Sequence, residues 1–168
     1  MQLSTGAVKN TDILIKIRKI VRSINLESKK ILREHGVSIP QVLCLNFLRN
    51  TPDFRATQKE ICSFLNLNPS TVTGIINRLE SRGLIARLPK KDDKRKTTIV
   101  LTSKSSDLLD SIPPLLHERL SENLRTVSPG DAQTINNALD LLIDYLDIQS
   151  IDASPVITFE DEIAPKQK

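Results

Sequence analysis

The 168 residues suffice for one well-formed core, and with 39% hydrophobic and 26% charged residues the composition is that of a globular chain rather than a multi-domain enzyme. No apolar run approaches the roughly 18 residues of a membrane span, and Met1 to Asn10 lacks the apolar segment of a signal peptide, so the expected address is the cytoplasm. The net charge of +4 is mild but unevenly spread: Arg87, Lys90, Lys91, Lys94, Arg95 and Lys96 crowd one stretch, while Asp147, Asp152, Glu160, Asp161 and Glu162 follow Leu146, which implies a single polyanion-facing surface.

From Thr11 to about Arg33, Ile13, Ile17, Ile20, Ile24, Ile31 and Leu32 recur at threes and fours among basic residues, which predicts a long amphipathic helix ended by Gly36. Ser38-Ile39-Pro40 opens a second helix carrying Val42, Leu43, Phe47 and Leu48, and Asn50 to Arg55 breaks the pattern. Cys44 and Cys62 stand in apolar contexts without a C-x-x-C spacing and read as small core residues.

Thr57-Gln58-Lys59-Glu60 fits a capping box, and a short helix runs from it through Leu65. Asn66 suits the left-handed turn that follows, and Asn68-Pro69 caps and starts a further helix, which lasts until Gly83. Two short helices joined by a tight turn make a helix-turn-helix. Leu84 to Leu88 and Thr97 to Leu101 are β-prone and flank a polar tip, so a two-stranded hairpin, a wing, is expected next.

From Thr102 a helix meets Pro113-Pro114, which must bend or break it, and the pattern resumes with Leu115, Leu116, Leu120 and Leu124. Ser128-Pro129 caps a last helix whose Ile135, Leu139, Leu142 and Leu146 step by four, three and four, the spacing of a packing seam. Together with Ile13, Ile17 and Ile20, that seam is the expected homodimer interface. Residues 150–168 lack amphipathic period and read as an arm or disordered tail.

The helix from Pro69 carries the chemistry. Val72, Ile75, Ile76 and Leu79 share one side, and Ser70, Gly74, Asn77 and Ser81 the other, flanked by Thr73 and Arg78. Short polar groups without bulky neighbours suit base-edge reading in a major groove: Asn77 can pair with adenine, Arg78 with guanine, and Ser70, Thr71 and Thr73 reach phosphates or bases near the helix start. In the wing, Arg95 can enter a minor groove while Lys90, Lys91, Lys94 and Lys96 face phosphates. Double-stranded operator DNA is thus the expected partner, and no cofactor or metal is implied.

The run Ser70 to Ile85 (Ser-Thr-Val-Thr-Gly-Ile-Ile-Asn-Arg-Leu-Glu-Ser-Arg-Gly-Leu-Ile), followed by Asp93-Lys94-Arg95 and Leu101-Thr102, resembles the MarR family of transcriptional regulators. The resemblance spans roughly residues 11–149. It implies a mainly α, winged helix-turn-helix dimer with dimerisation helices at 11–35 and 103–149, a DNA-binding lobe at 38–102, and Arg95 at a wing tip positioned by Asp93. It also implies a small-molecule effector site between the dimer helices and the lobe, though no cluster here names a ligand. Two positions depart from the family pattern: Gly74 stands where many members carry Arg, and Ser105 where Gly commonly follows the Leu-Thr pair. Pro113-Pro114 and the run Ile151 to Pro155 resemble a subgroup that includes regulators of ectoine and other compatible-solute genes, which implies a role in osmotic stress.

An enzyme is the first rival, but no glycine-rich phosphate loop, G-x-S-x-G or H-E-x-x-H is present, and His35 and His117 sit at or near helix ends or faces. A winged helix serving as a protein–protein module is the second; it would not show the salt dependence that phosphate contacts impose.

Overall fold

Gly36 ends the first helix where its left-handed backbone (φ 68°, ψ 17°) turns the chain and its N–H donates to the Leu32 carbonyl at 2.9 Å. The computed structural model describes residues 9–89 and 97–151. Helix α1 (Asn10–His35) is long, yet Ile31, near its C-terminal end, is its one buried residue. The rest of α1 carries its apolar side chains past the edge of the core.

Helix α2 (Ile39–Arg49) is the opposite case: Ile39 to Leu45 and Leu48 are all buried. Ser38 precedes it, its N–H satisfied by Gln41 Oε1 at 2.9 Å. The break that follows contains a 3-10 turn (Pro52–Phe54), with Asp53 and Phe54 both at φ 56°, and then a strand, β1 (Arg55–Thr57). Helices α3 (Gln58–Leu65) and α4 (Pro69–Ser81) form the helix-turn-helix, and β2 (Ile85–Pro89) and β3 (Thr97–Leu101) the hairpin.

The sheet has three antiparallel strands in the order β1-β3-β2, not two. β3 pairs with β2 from Ile85↔Leu101 to Pro89↔Thr97 and with β1 from Arg55↔Val100 to Thr57↔Thr98. The hairpin expected from sequence is therefore joined by a third strand, formed where the stretch read as a break (Asn50 to Arg55) meets the cap of the next helix at Thr57. Ile61, Leu65, Val72, Ile75, Ile76, Leu79, Leu84 and Ile99 join α2 in one core.

Beyond the sheet, α5 (Ser103–Ser111) ends before the proline pair, and α6 (Leu116–Arg125) starts after it. Ile112 and Leu115 both take extended backbone, so the prolines break the helix rather than kink it. Ser105, at the position where glycine is common, is fully buried and donates through Oγ to the Leu84 carbonyl, so its hydroxyl ties α5 to the start of the wing. Helix α7 (Pro129–Tyr145) follows, and neither α6 nor α7 contains a buried residue.

Candidate nucleic-acid interface

Local chemistry places α4 before tertiary packing acts. Thr57 and Glu60 satisfy each other's backbone: Glu60 N–H donates to Thr57 Oγ1 (3.3 Å) and Thr57 N–H to Glu60 Oε2 (2.7 Å). Asn66 holds the left-handed turn (φ 51°, ψ 39°). Asn68 Oδ1 then accepts from the Thr71 N–H at 2.8 Å and from Ser70 Oγ at 2.6 Å, with Pro69 at the first helical position.

Val72, Ile75, Ile76 and Leu79 are 0% exposed and pin one side of α4 to the core. Ser70, Asn77, Arg78 and Ser81 are exposed on the other, with Thr71, Thr73 and Gly74 half-buried. A Cβ at Gly74 would meet only Arg78 Nη2, at 3.5 Å, an ordinary contact. Nothing among the described residues demands glycine there. What glycine leaves is bare helix backbone in the middle of the polar face.

Two of these groups are engaged by neighbours: one, Gln58, is not expected at the site from sequence, and the other, Arg87, is expected to face DNA as part of the basic wing. Gln58 Nε2 donates to Thr73 Oγ1 at 2.8 Å, and Thr73 Oγ1 donates its own proton to the Pro69 carbonyl at 2.7 Å. Thr73 therefore has no hydroxyl proton left for a phosphate, and its methyl and one lone pair are what remain. Arg87, on β2, donates through Nη2 to Asn77 Oδ1 at 2.6 Å and through Nη1 to Glu80. No local signal marks these pairs, because Gln58 and Arg87 meet α4 across a turn.

The strand after α4 is fastened to α5. Thr102 Oγ1 lies 2.9 Å from the Gly83 carbonyl oxygen and 3.1 Å from that of Leu84, and Lys104 Nζ donates to the Arg82 carbonyl at 2.8 Å. Arg82 in turn donates to the carbonyl of Gly36, placing a cation at the C-terminal end of α1. These links tie the connection between α4 and the hairpin to the start of α5 and to the end of α1. The hairpin's basic tip, with Lys90, Lys91, Asp93, Lys94, Arg95 and Lys96, lies outside the described residues, as do residues 152–168 of the tail.

The expected dimer residues lie on α1 and α7 or just after it. Ile13, Ile20, Ile135, Leu139 and Leu146 are exposed, and Ile17 and Leu142 half-buried. Leu14, Ile15, Leu26, Leu120 and Leu124 are exposed as well, so the uncovered apolar surface is wider than the seam read from sequence.

Cys44 is buried and its thiol is pushed up to about 12 by loss of hydration; partial burial raises that of Cys62. Neither is a thiolate near neutrality. A cavity of about 140 Å³ lies between α2 and the proline break, lined by Val42, Asn46, Arg49, Leu109 and Pro113 among others. No described helix is long and apolar enough to cross a membrane.

Comparison with known proteins agrees with this geometry. Residues 37–97 match the model of the MarR family. The HTH-type transcriptional regulator YwoH of Bacillus subtilis is 33% identical over 61% of this chain and 73% of its own length. YfiV, another HTH-type transcriptional regulator of B. subtilis, is 24% identical over 78% of this chain and 81% of its own. Among solved structures, MepR of S. aureus in complex with DNA superposes with a TM-score of 0.60 over 82% of this chain and 98% of that one, at 19% identity.

Proposed function

The chain belongs to the MarR family, whose members similar to it are transcriptional regulators, and from that premise we propose that it is a homodimeric repressor that binds an inverted-repeat operator. The observation that carries this reading is the exposed face of α4. Ser70, Asn77 and Arg78 are exposed, with half-buried Gly74 among them, on a helix whose opposite side is wholly buried. That face can enter a major groove, with Asn68 holding the helix N-terminus and Thr71 beside it where phosphate is favoured, while the Ser70 hydroxyl, which donates to Asn68 Oδ1, is left to accept from a base.

The wing tip supplies the second contact. Arg95, set by Asp93, enters the adjacent minor groove, and Lys90, Lys91, Lys94 and Lys96 meet phosphate. Ile13, Ile17 and Ile20 of α1, Ile135, Leu139 and Leu142 of α7, and Leu146 just after it pack against a second copy, which removes their apolar surface from water. Two α4 helices then meet half-sites about one helical turn, ~34 Å, apart.

A small-molecule effector belongs to the same reading. The cavity at the proline break, at about 140 Å³, is below the ~300 Å³ at which such sites usually start, so an effector bound at that place requires it to open further or to be completed by the second copy. Control of compatible-solute genes is supported only by Pro113-Pro114 and the sequence of the tail. Selection of bound fragments from the source genome by the full chain tests the proposal. Recovery of a shared inverted repeat supports it, and recovery of no enriched duplex at low salt refutes it.

A further inference from the structure

Arg87 stands on β2, where its position in a basic stretch suggests a phosphate contact, but its guanidinium turns back onto α4. Nη2 donates to Asn77 Oδ1 at 2.6 Å and Nη1 to Glu80, one helical turn on from Asn77. A guanidinium has only N–H groups to offer, so this contact decides which end of the Asn77 carboxamide faces it. Oδ1 is turned to Arg87, and the Nδ2 amide is left as the group presented outward, beside a fixed positive charge.

An unrestrained asparagine reads adenine by accepting from N6 and donating to N7. Here the carbonyl oxygen is already shared with a cation, which weakens it as an acceptor for a second donor, while the amide protons are made better donors. Guanine presents two acceptors, O6 and N7, on its major-groove edge; adenine places a donor beside its acceptor. We infer that Asn77, held by Arg87, selects guanine over adenine at one base pair of each half-site, with Arg87 as the positioning residue that sets this choice. The inference rests on α4 being the reading helix of the proposed regulator.

The test is binding-site selection from a randomised duplex pool with the full-length protein, its Arg87→Met and Asn77→Ala variants, and the double variant. Arg87→Met keeps the aliphatic stem and removes every donor. The unaltered protein should enrich guanine at the position whose preference Asn77→Ala erases. Arg87→Met should move that position toward adenine, changing the guanine-to-adenine ratio by roughly tenfold or more. Adding Arg87→Met to Asn77→Ala should change base preference no further, which together with the shift caused by Arg87→Met alone shows that Arg87 acts through Asn77. Enrichment of adenine at the Asn77-dependent position by the unaltered protein overturns the inference. So does an Arg87→Met variant that binds all sequences more weakly with an unchanged profile, the behaviour of a phosphate contact. Either result leaves the regulator reading standing, whereas a pool in which no sequence is enriched removes both.

Discussion

Glu27 on α1 accepts, through Oε1, a 2.8 Å hydrogen bond from the backbone N–H of Leu116 in the first turn of α6. Leu115 N–H, next to it, donates to Glu118 Oε2 at 2.8 Å. Two carboxylates thus serve the opening of α6, where the helix dipole favours negative charge, and one of them comes from another helix. The segment after Pro113-Pro114 is tied to α1 at this point, with buried Leu115 beneath it. A swinging hinge at the prolines would have to break this bond.

Replacing Glu27 with Ala should therefore cost about 1–3 kcal/mol, the usual consequence of removing a charged acceptor from a backbone donor. Glu27→Gln, which keeps an acceptor oxygen, should recover much of that loss. Thermal unfolding of the two variants measures it, and equal stability for Ala and Gln would show that the carboxamide oxygen does not replace the carboxylate. Replacing both prolines with Ala tests whether the break serves as a hinge between the wing and the C-terminal helices: changed DNA affinity or effector response supports that role, and no change in either eliminates it.

Gly74→Ala should act in opposite directions on folding and binding. An interior helical glycine gives up roughly 0.5–1 kcal/mol relative to alanine, and the added methyl meets only Arg78 Nη2, at 3.5 Å, so the variant should melt higher. If DNA approaches the bare backbone of α4 closely, the same methyl should weaken operator binding. A variant that gains stability and keeps full affinity would show that the groove does not come that near.

The apolar faces of α1 and α7 predict a dimer without a measurable monomer at micromolar concentration. Placing Glu at Leu139, which is 51% exposed in the single chain, should bring monomer into view by sedimentation without unfolding the helix-turn-helix core. An unchanged dimer would move the interface away from α7.

Alkaline pH should destabilise the fold through Cys44. Its ordinary value of 9.0 is raised to about 12 by burial, so the folded state holds the proton more tightly than the unfolded chain does. Its contribution is complete below pH 9, declines as pH rises above that, and is lost through about 12. Comparing the pH dependence of unfolding with that of Cys44→Ala isolates it, since the variant should lose part of the alkaline slope. Identical slopes would contradict the assignment.

The elements that announce themselves locally were legible in the sequence. The Thr57-to-Glu60 box, the Asn66 turn, the Asn68-Pro69 start and the Gly36 stop are each built from contacts within a few residues, and each has the geometry its residues imply. β1 was not legible. Three residues are too few to show alternation, and Arg55–Thr57 is a strand only because β3 offers it an edge. The partners of the reading face were hidden for a related reason: Arg87 reaches Asn77, and Gln58 reaches Thr73, through turns that the period of α4 does not encode. Gly74, by contrast, stood out as a departure from the family pattern, and the ordinary 3.5 Å contact a Cβ there would make with Arg78 Nη2 shows that packing does not require glycine at this position.

Binding of the full chain to a selected operator and to a scrambled duplex, followed by fluorescence anisotropy across a salt series, tests the central claim most directly. The operator should be bound far more tightly than the scrambled duplex, and affinity for both should fall steeply as salt rises, since phosphate contacts release counterions. Arg95→Ala should weaken operator binding strongly, and a single wing lysine replaced by Ala should reduce the salt slope by about one on both duplexes. Asn77→Ala should cost about 1–3 kcal/mol on the operator and much less on the scrambled sequence. Equal affinity of the unaltered protein for the two duplexes, or no binding to either at low salt, would contradict the account.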